Sequence, residues 1–294
     1  STFDNSHVYQ HRDLGPIREG VVVRLDQGKF QGSYLQNTLF LPHGITVDHE
    51  GNVWITDTAM HQVFKFGPDL NPNPLLVIGE KFVPGSDEKH FCKPTHVVVL
   101  RSGEFFVADG YCNNRIMKFH PNGTLAKEWK KNSKDGDEVQ YNFNLPHQLA
   151  LSEELDLLCV ADRENWRALC YRLGASERSD AQLSELVYEF QGIPNDNGPV
   201  YGVAIAPKER ILFVLAGEEQ SGLPTAVHLF DLGTGDYLGY MTDRNGDYGY
   251  AHMLAACDSG EEPGCLLVCS LNQPITKWGE MQRRLWLYRF DANR

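Results

Sequence analysis

Positive charge and long apolar runs are both scarce in this sequence. Its 27 Lys and Arg residues are outnumbered by 39 Asp and Glu residues, which gives a formal charge of −12. Such a chain is poorly suited to phosphate backbones or anionic membrane surfaces. No apolar run approaches the roughly 20 residues that cross a bilayer, and the opening STFDNSHVYQHRD lacks the apolar core of a signal peptide. We therefore expect neither a nucleic-acid partner nor a membrane segment in this chain.

Cysteine is too sparse for a dense disulfide scaffold, since the 294 residues contain only seven. Six of them bracket short stretches in pairs, namely Cys92 and Cys112, Cys159 and Cys170, and Cys257 and Cys265. Cys269 is left over, and we expect it to be buried and free. Seven buried thiols in a cytosolic protein are the alternative. A glycosylation sequon at Asn122, in the polar turn NGT, favours a secreted chain.

Helix-length periodic segments are few, and internal repeats take their place. Three stretches share one order: an apolar strand, a polar turn, a second apolar strand that ends at Asp, a polar loop and a third strand. They cover residues 41–66, 93–119 and 145–173, with the shared aspartates at positions 57, 109 and 162. Weaker copies cover residues 199–232 and 250–291, and residues 20–26 (GVVVRLD) match a third strand alone.

Antiparallel meanders that repeat about every 50 residues are typical of propeller blades. We therefore predict an all-β fold, a six-bladed β-propeller with NHL-like repeats, formed by a single domain over residues 1–294. Its first blade would be incomplete, and either the C-terminal residues or a segment upstream of Ser1 would complete it. A two-sheet sandwich or a stacked solenoid would not explain this period with three or four strands in each repeat.

The residue just before each innermost strand can point toward the axis of such a ring. In the five readable repeats, at intervals of 52, 52, 54 and 51 residues, this position holds His43, Thr95, His147, Tyr201 and His252. Histidine thus falls on alternate blades, about 120° apart in a six-bladed ring. Three imidazoles that leave a fourth position open are the ligand set of a catalytic zinc site. A slip of one residue would bring His96 to the axis in place of Thr95.

Longer motifs extend beyond the strand pattern. They are RDLGPI (12–17), LPHG (41–44), TDTAMHQVFKF (56–66), PGSDEKHFCKPT (84–95), ADGYCNNRI (108–116), LPHQLAL (145–151) and CVADREN (159–165). With these motifs the sequence resembles the peptidyl-α-hydroxyglycine α-amidating lyases, the lyase domains of the peptide-amidating enzymes, which are six-bladed propellers of the NHL type. The resemblance is close through the CVADREN motif, and beyond it rests on the repeats.

The resemblance implies a reaction and its metals. A lyase of this family cleaves the N–Cα bond of a peptide that ends in α-hydroxyglycine, and releases the peptide amide and glyoxylate. Its zinc ligands match His43, His147 and His252. The family also binds Ca²⁺ through an aspartate whose position holds Met253 here, and a thioether is not a calcium ligand. Backbone oxygens near Ile45 would still be available, so the resemblance implies zinc and disfavours calcium. A second essential arginine of the family would lie upstream of Ser1.

Two further residues match the family's catalytic groups. The resemblance implies that Tyr111 is the general base and that Arg163 is an essential arginine. A phenol has a pKa of about 10 and is a weak base unless a cation stabilises the phenolate. Because Tyr111 and Arg163 both follow the second strand of adjacent repeats, we expect them to be neighbours on the face that carries the zinc. The alternatives are that Tyr111 packs against a disulfide at Cys112, and that Arg163 pairs with Asp162 or Glu164.

The resemblance also implies disulfides Cys92–Cys112 and Cys159–Cys170, and therefore the secretory-pathway lumen or the extracellular space. The expected partners are peptides that end in α-hydroxyglycine and a hydroxylating monooxygenase, separate or fused, and we expect a monomer. Two other classes stay open. A calcium-dependent lactonase or esterase would place carboxylates and Asn on the axis. An NHL-type interaction module, including a weak or inactive propeller that still binds zinc, would have no turnover.

Overall fold

The computed structural model describes residues 2–130, 141–174, 183–191, 198–218, 223–246, 248–257, 264–274 and 281–289. The chain divides into two compact units, Ser1–Pro146 and His147–Arg294. Regular structure in the described ranges is almost all β-strand, with two single-turn 3₁₀ helices, Arg12–Leu14 and Arg163–Asn165. Within the same ranges no helix is long and apolar enough to cross a membrane. The single domain over residues 1–294 stays a prediction.

The first unit contains a hairpin and two four-stranded antiparallel sheets. The hairpin pairs β1 (Val22–Asp26) with β2 (Lys29–Tyr34). The next sheet runs in chain order through β3 (Pro42–Val47), β4 (Val53–Asp57), β5 (Gln62–Phe66) and β6 (Leu76–Ile78). The third runs through β7 (His96–Val99), β8 (Phe105–Asp109), β9 (Arg115–Phe119) and β10 (Leu125–Lys130).

The second unit repeats the same meander three times. Its first sheet contains β11 (Pro146–Ser152), β12 (Leu157–Asp162), β13 (Arg167–Arg172) and β14 (Leu186–Phe190). The next contains β15 (Val200–Ala206), β16 (Ile211–Glu218), β17 (Leu223–Asp231) and β18 (Tyr237–Met241). The last has three strands, β19 (Ala251–Cys257), β20 (Cys265–Pro274) and β21 (Met281–Arg289).

The β-propeller class is confirmed, but the predicted six blades are wrong. The described residues form five meander sheets with the strand order of blades, four of four strands and one of three. The segment GVVVRLD, expected to be the third strand of a first blade, contributes β1, which pairs only with β2. No innermost strand joins this hairpin in the described part of the chain, because the next strand, β3, already begins another sheet.

Each unit has its own apolar core. In the first unit Trp54, Val97, Phe105 and Phe119 form one cluster between neighbouring sheets. In the second, a cluster that includes Val203 fills the corresponding space. Strands β4, β8 and β12 are buried along their whole length. Strands covered on both faces read as continuous apolar runs, which is why these segments show no polar alternation.

Two of the three aspartates that close a second strand are structural anchors. Asp57 accepts the backbone N–H groups of Phe40 and Leu41 at 2.7 and 3.0 Å, just before β3. Asp109 accepts the N–H of Cys92 at 2.8 Å, just before β7. Both carboxylates are fully buried. In these two repeats the aspartate therefore holds the segment that leads into the innermost strand.

Three disulfides join the predicted cysteine pairs: Cys92–Cys112, Cys159–Cys170 and Cys257–Cys265. The second and third each join two residues that are paired across adjacent strands. Cys269 is free, as predicted, but it is exposed, so the expectation of burial is wrong. Cys269 lies opposite Leu285, which is 52% exposed, on the last sheet.

Candidate active site

In the first unit, the site is built around His43, the second residue of β3. The pairing of β3 with β4 shifts register between Pro42 and Ile45, and irregularities of this kind re-aim a side chain. The Nδ1 atom of His43 lies 2.7 Å from the carbonyl oxygen of Thr95. A carbonyl only accepts, so Nδ1 carries the proton and Nε2 carries the lone pair. The Tyr111 hydroxyl lies 3.0 Å from that Nε2.

The approach of His43 to Thr95 depends on the residue between them in space, Gly44. A Cβ at Gly44 would lie 2.5 Å from the Thr95 carbonyl oxygen and 3.0 Å from the ring of His96. His96, the first residue of β7, is almost completely buried. Burial, with a smaller contribution from His43, lowers the pKa of His96 to about 3. His96 is therefore neutral at physiological pH and packs beneath the site.

The two residues that contact the His43 ring, Thr95 and Tyr111, are held in place differently, Thr95 through hydrogen bonds and Tyr111 next to a disulfide. The hydroxyl of Thr95 lies 2.8 Å from the Pro146 carbonyl and 3.0 Å from the Ala108 carbonyl. Tyr111 lies in the loop after β8, next to the disulfide that ties Cys112 to the segment before β7. The phenol ring is half-buried and meets the His43 ring edge-on, with centroids 5.3 Å apart. In the sequence Tyr111 comes directly before Cys112, and the contact of its side chain is with His43.

In the second unit, His147 and His252 occupy the same position, the second residue of an innermost strand. The Nδ1 atom of His147 lies 2.6 Å from the Tyr201 carbonyl oxygen, so this ring also presents Nε2. The two imidazole rings have centroids 4.5 Å apart at an interplanar angle of 86°. The pairing of β19 with β20 shifts register between Ala251 and Met253, around His252.

Arg163 begins the 3₁₀ helix that follows β12. Its guanidinium carbon lies 4.6 Å from the centroid of the Tyr201 ring, and Nη2 lies 3.5 Å from the Tyr201 hydroxyl. Nε is 3.2 Å from the Glu164 carboxylate, yet it is buried and forms no hydrogen bond with the described residues. Asp162 accepts instead from Arg167, at 2.7 Å. The expected closeness of Arg163 to Tyr111 stays a prediction.

Both units thus offer imidazoles that could bind a metal. A proton fixed on Nδ1 by a carbonyl is the arrangement that zinc-binding histidines usually have, so the donor atoms fit zinc. His7, Cys92 and Cys112 also bring ligand atoms within 4.8 Å of one another. That group is no ligand set, because its two sulfurs form a disulfide. The expectation that calcium binding near Ile45 and Met253 is disfavoured stays a prediction.

Comparison with known proteins identifies the repeat family and the relatives of this chain. The NHL repeat family matches residues 41–66 and 91–119. Peptidyl-alpha-hydroxyglycine alpha-amidating lyase 2 of Drosophila melanogaster is 43% identical over 207 residues, which are 69% of this chain and 48% of that protein. The chain is a homologue of the peptidyl-α-hydroxyglycine α-amidating lyases.

This lyase homologue also resembles a longer protein. Peptidyl-glycine alpha-amidating monooxygenase B of Xenopus laevis is 40% identical over 265 residues, 88% of this chain but only 29% of that enzyme. The chain therefore spans less than two thirds of the curated relatives it matches. Among solved structures, Kuenenia stuttgartiensis hydrazine synthase has a TM-score of 0.56 at 13% identity, over 89% of this chain and 66% of that one. That likeness shows the fold alone.

Proposed function

We propose that this chain is a zinc-dependent lyase that cleaves the N–Cα bond of peptidyl-α-hydroxyglycine to give a peptide amide and glyoxylate. The observation that carries the proposal is the contact of 3.0 Å between the Tyr111 hydroxyl and Nε2 of His43, whose Nδ1 is bonded to a backbone carbonyl. In this contact the hydroxyl donates to Nε2, which places the group proposed as general base beside a candidate zinc ligand. The similarity to named lyases of this substrate class supports the same reaction.

In this proposal His43, His147 and His252 hold the metal, which when bound acts as a Lewis acid that lowers the pKa of the substrate hydroxyl. Tyr111 accepts the hydroxyl proton at its phenolic oxygen. The O–H electron pair becomes the new C=O bond of glyoxylate as the N–Cα bond breaks. The proton then passes from Tyr111 to the amide nitrogen, so the cycle consumes no water and no redox equivalent.

Arg163 is proposed to bind the carboxylate that leaves within glyoxylate. Its buried Nε lies 3.2 Å from the Glu164 carboxylate but makes no hydrogen bond with the described residues, and the guanidinium lies over the Tyr201 ring. A guanidinium oriented in this way can bind a carboxylate through two parallel hydrogen bonds.

A glyoxylate-release assay with an N-acyl-α-hydroxyglycine tests the function directly. Turnover should be stereoselective, should stop when a chelator removes the metal, and should return when zinc is added. His147→Ala should lose most of its zinc, by metal analysis, together with its activity. Full zinc occupancy in that variant would refute the ligand set. A parent that binds one zinc per chain yet releases no glyoxylate would instead be an NHL-type zinc-binding module.

The three disulfides and the exposed Asn122 sequon support a secreted or lumenal protein. Asn122 lies in the turn between β9 and β10, where its side chain accepts from Thr124. Because relatives carry the name of a monooxygenase, the proposed source of substrate is a hydroxylating enzyme, separate or fused. Mass spectrometry of the protein from a secreting host should show a glycan on Asn122.

A further inference from the structure

One buried amide in the second unit has no part in the proposed chemistry, yet it adjoins both histidines of that unit. Gln148 follows His147 on β11 and is 3% exposed. Its Nε2 donates to the carbonyl of Leu254 at 2.5 Å, and its Oε1 accepts the N–H of the same residue at 3.1 Å. Leu254 lies on β19, two residues after His252. A side-chain amide thus bonds to β19 much as a neighbouring strand would.

The amide reaches β19 only because the strand between is open at one point. Gly202 lies on β15, and a Cβ there would be 2.6 Å from Oε1 of Gln148 and 3.3 Å from the Leu254 nitrogen. The preceding residue, Tyr201, supplies the carbonyl that accepts from Nδ1 of His147. The innermost strands β11, β15 and β19 are therefore joined by two side chains, those of His147 and Gln148.

We propose that Gln148 is a positioning residue that sets the separation of the His147 and His252 rings. Gln148 directly follows His147, and both of its hydrogen bonds end on the backbone of Leu254, two residues after His252. One side chain therefore connects the backbone near the two histidine rings. A buried N–H or C=O that loses its partner is left desolvated without compensation, so an alternative strand position without these bonds is disfavoured. The inference rests on the proposed zinc function of these two histidines.

A replacement of similar length tests this role. Gln148→Met keeps the size of the side chain and removes both hydrogen bonds, and Gly202→Ala disturbs the same contact while it leaves Gln148 in place. The matched control is Gln62→Met in the first unit. Gln62 is also buried, at 6% exposure, and donates at 3.0 Å to the carbonyl of Gly79, but it lies on a third strand. All three variants are expected to lower the melting temperature of the full chain.

Two readouts separate positioning from general stability. In zinc titrations by calorimetry, Gln148→Met and Gly202→Ala should bind zinc about 10- to 100-fold more weakly than the parent, the range typical for residues that orient ligands. Gln62→Met should stay within about twofold. In crystals of the metal-free Gln148→Met protein, the ring centroids should no longer lie 4.5 Å apart.

The metal-free structure decides the question even where the zinc proposal fails. If the parent binds no zinc, the proposed function falls, and a changed ring separation in Gln148→Met still supports the positioning role. If the variant keeps the 4.5 Å separation and the zinc affinity of the parent, Gln148 is an ordinary core residue and the inference is wrong. Equal losses of zinc affinity in Gln148→Met and Gln62→Met would overturn it as well.

Discussion

The two units orient a histidine in the same way and surround it differently. In each, Nδ1 donates to a backbone carbonyl, that of Thr95 or Tyr201. The residue after the histidine is Gly44 in the first unit, where only hydrogen fits, and Gln148 in the second, where a long amide is used. The first unit adds a phenol and the second a guanidinium. The repeat therefore fixes the candidate ligands, and the differences between repeats supply the other groups.

Removing the Tyr111 hydroxyl should have the largest effect on kcat, because it removes the group that the first unit is proposed to supply as general base. Tyr111→Phe keeps the ring and removes the oxygen that lies 3.0 Å from His43. If Tyr111 is the general base, kcat should fall by roughly 10²–10⁴-fold, with zinc content and melting temperature unchanged. Tyr188→Phe, which loses a hydrogen bond to the Leu232 carbonyl, is the control and should keep its rate. A Tyr111→Phe enzyme as fast as the parent would move the base elsewhere.

The corresponding change in the second unit is Arg163→Lys. Lysine keeps the charge but loses the planar fork and its stacking on Tyr201. Since a hydrogen bond to a charged group contributes about 1.5–3 kcal/mol, kcat/KM should fall by about 10- to 100-fold. Arg167→Lys is the nearby control, because Arg167 pairs with Asp162 and Glu189 and should affect stability more than turnover. The reverse pattern would assign the substrate-binding role to Arg167.

Acid should weaken both units through buried histidines that stay neutral in the folded chain, among them His61 in the first unit and His228 in the second. Burial lowers the pKa of His61 and of His228 to about 4, from 6.5 in the unfolded chain. Between pH 4 and 6.5 the unfolded chain binds more protons than the folded chain. The contribution of each histidine to the free energy of unfolding is therefore fully present above about pH 6.5 and is lost as the pH falls toward 4. One pH unit below 6.5, each histidine should cost roughly 1 kcal/mol. We expect urea unfolding of His228→Asn at several pH values to give a free energy of unfolding that depends less steeply on pH, by one proton, than that of the parent. Substitution of an exposed histidine, His49→Asn, should leave this pH dependence unchanged.

The smallest effect on kcat is expected at Thr95, where the hydroxyl and the backbone carbonyl make different contacts. Thr95→Val loses the hydroxyl contacts with Pro146 and Ala108 but keeps the carbonyl that orients His43. The free energy of unfolding should fall by about 0.5–1.5 kcal/mol, while kcat stays within about threefold. Chemical denaturation and the glyoxylate assay measure both quantities. A large loss of kcat would show that the Thr95 hydroxyl takes part in the site.

The sequence predicts the positions in the site better than their interactions. Nearly equal spacing identifies His43, His147 and His252, because a repeat places equivalent residues at equivalent strand positions. The structure makes each the second residue of an innermost strand, one step inside the strand that the repeat pattern predicts to follow it. The ring partners Thr95 and Tyr201 are found by the same spacing. Their role as carbonyl acceptors is not, because a backbone group has no signature in residue type.

Other features depend on contacts that no local pattern encodes. The bonds of Gln148 join residues 106 positions apart, and its motif, LPHQLAL, reads only as a strand. The register shifts at His43 and His252 follow from the pairing of two strands. The prediction of six blades is wrong because an apolar strand such as GVVVRLD has the same sequence pattern whether it belongs to an isolated hairpin or to a blade. A Gly directly after one of the equally spaced positions, Gly44 after His43 and Gly202 after Tyr201, is the available signal for close approach.

The carbonyls that orient His43 and His147 have a consequence for how such a site can change over generations. Main-chain atoms are common to every residue, so substitutions at positions 95 and 201 can alter the side chain and still preserve the imidazole tautomer. The chain already displays two such choices, a small hydroxyl at one position and a large phenol at the other. Selection on metal binding therefore leaves these two positions open to drift, and new substrate preferences could arise there without an intermediate that has lost its metal.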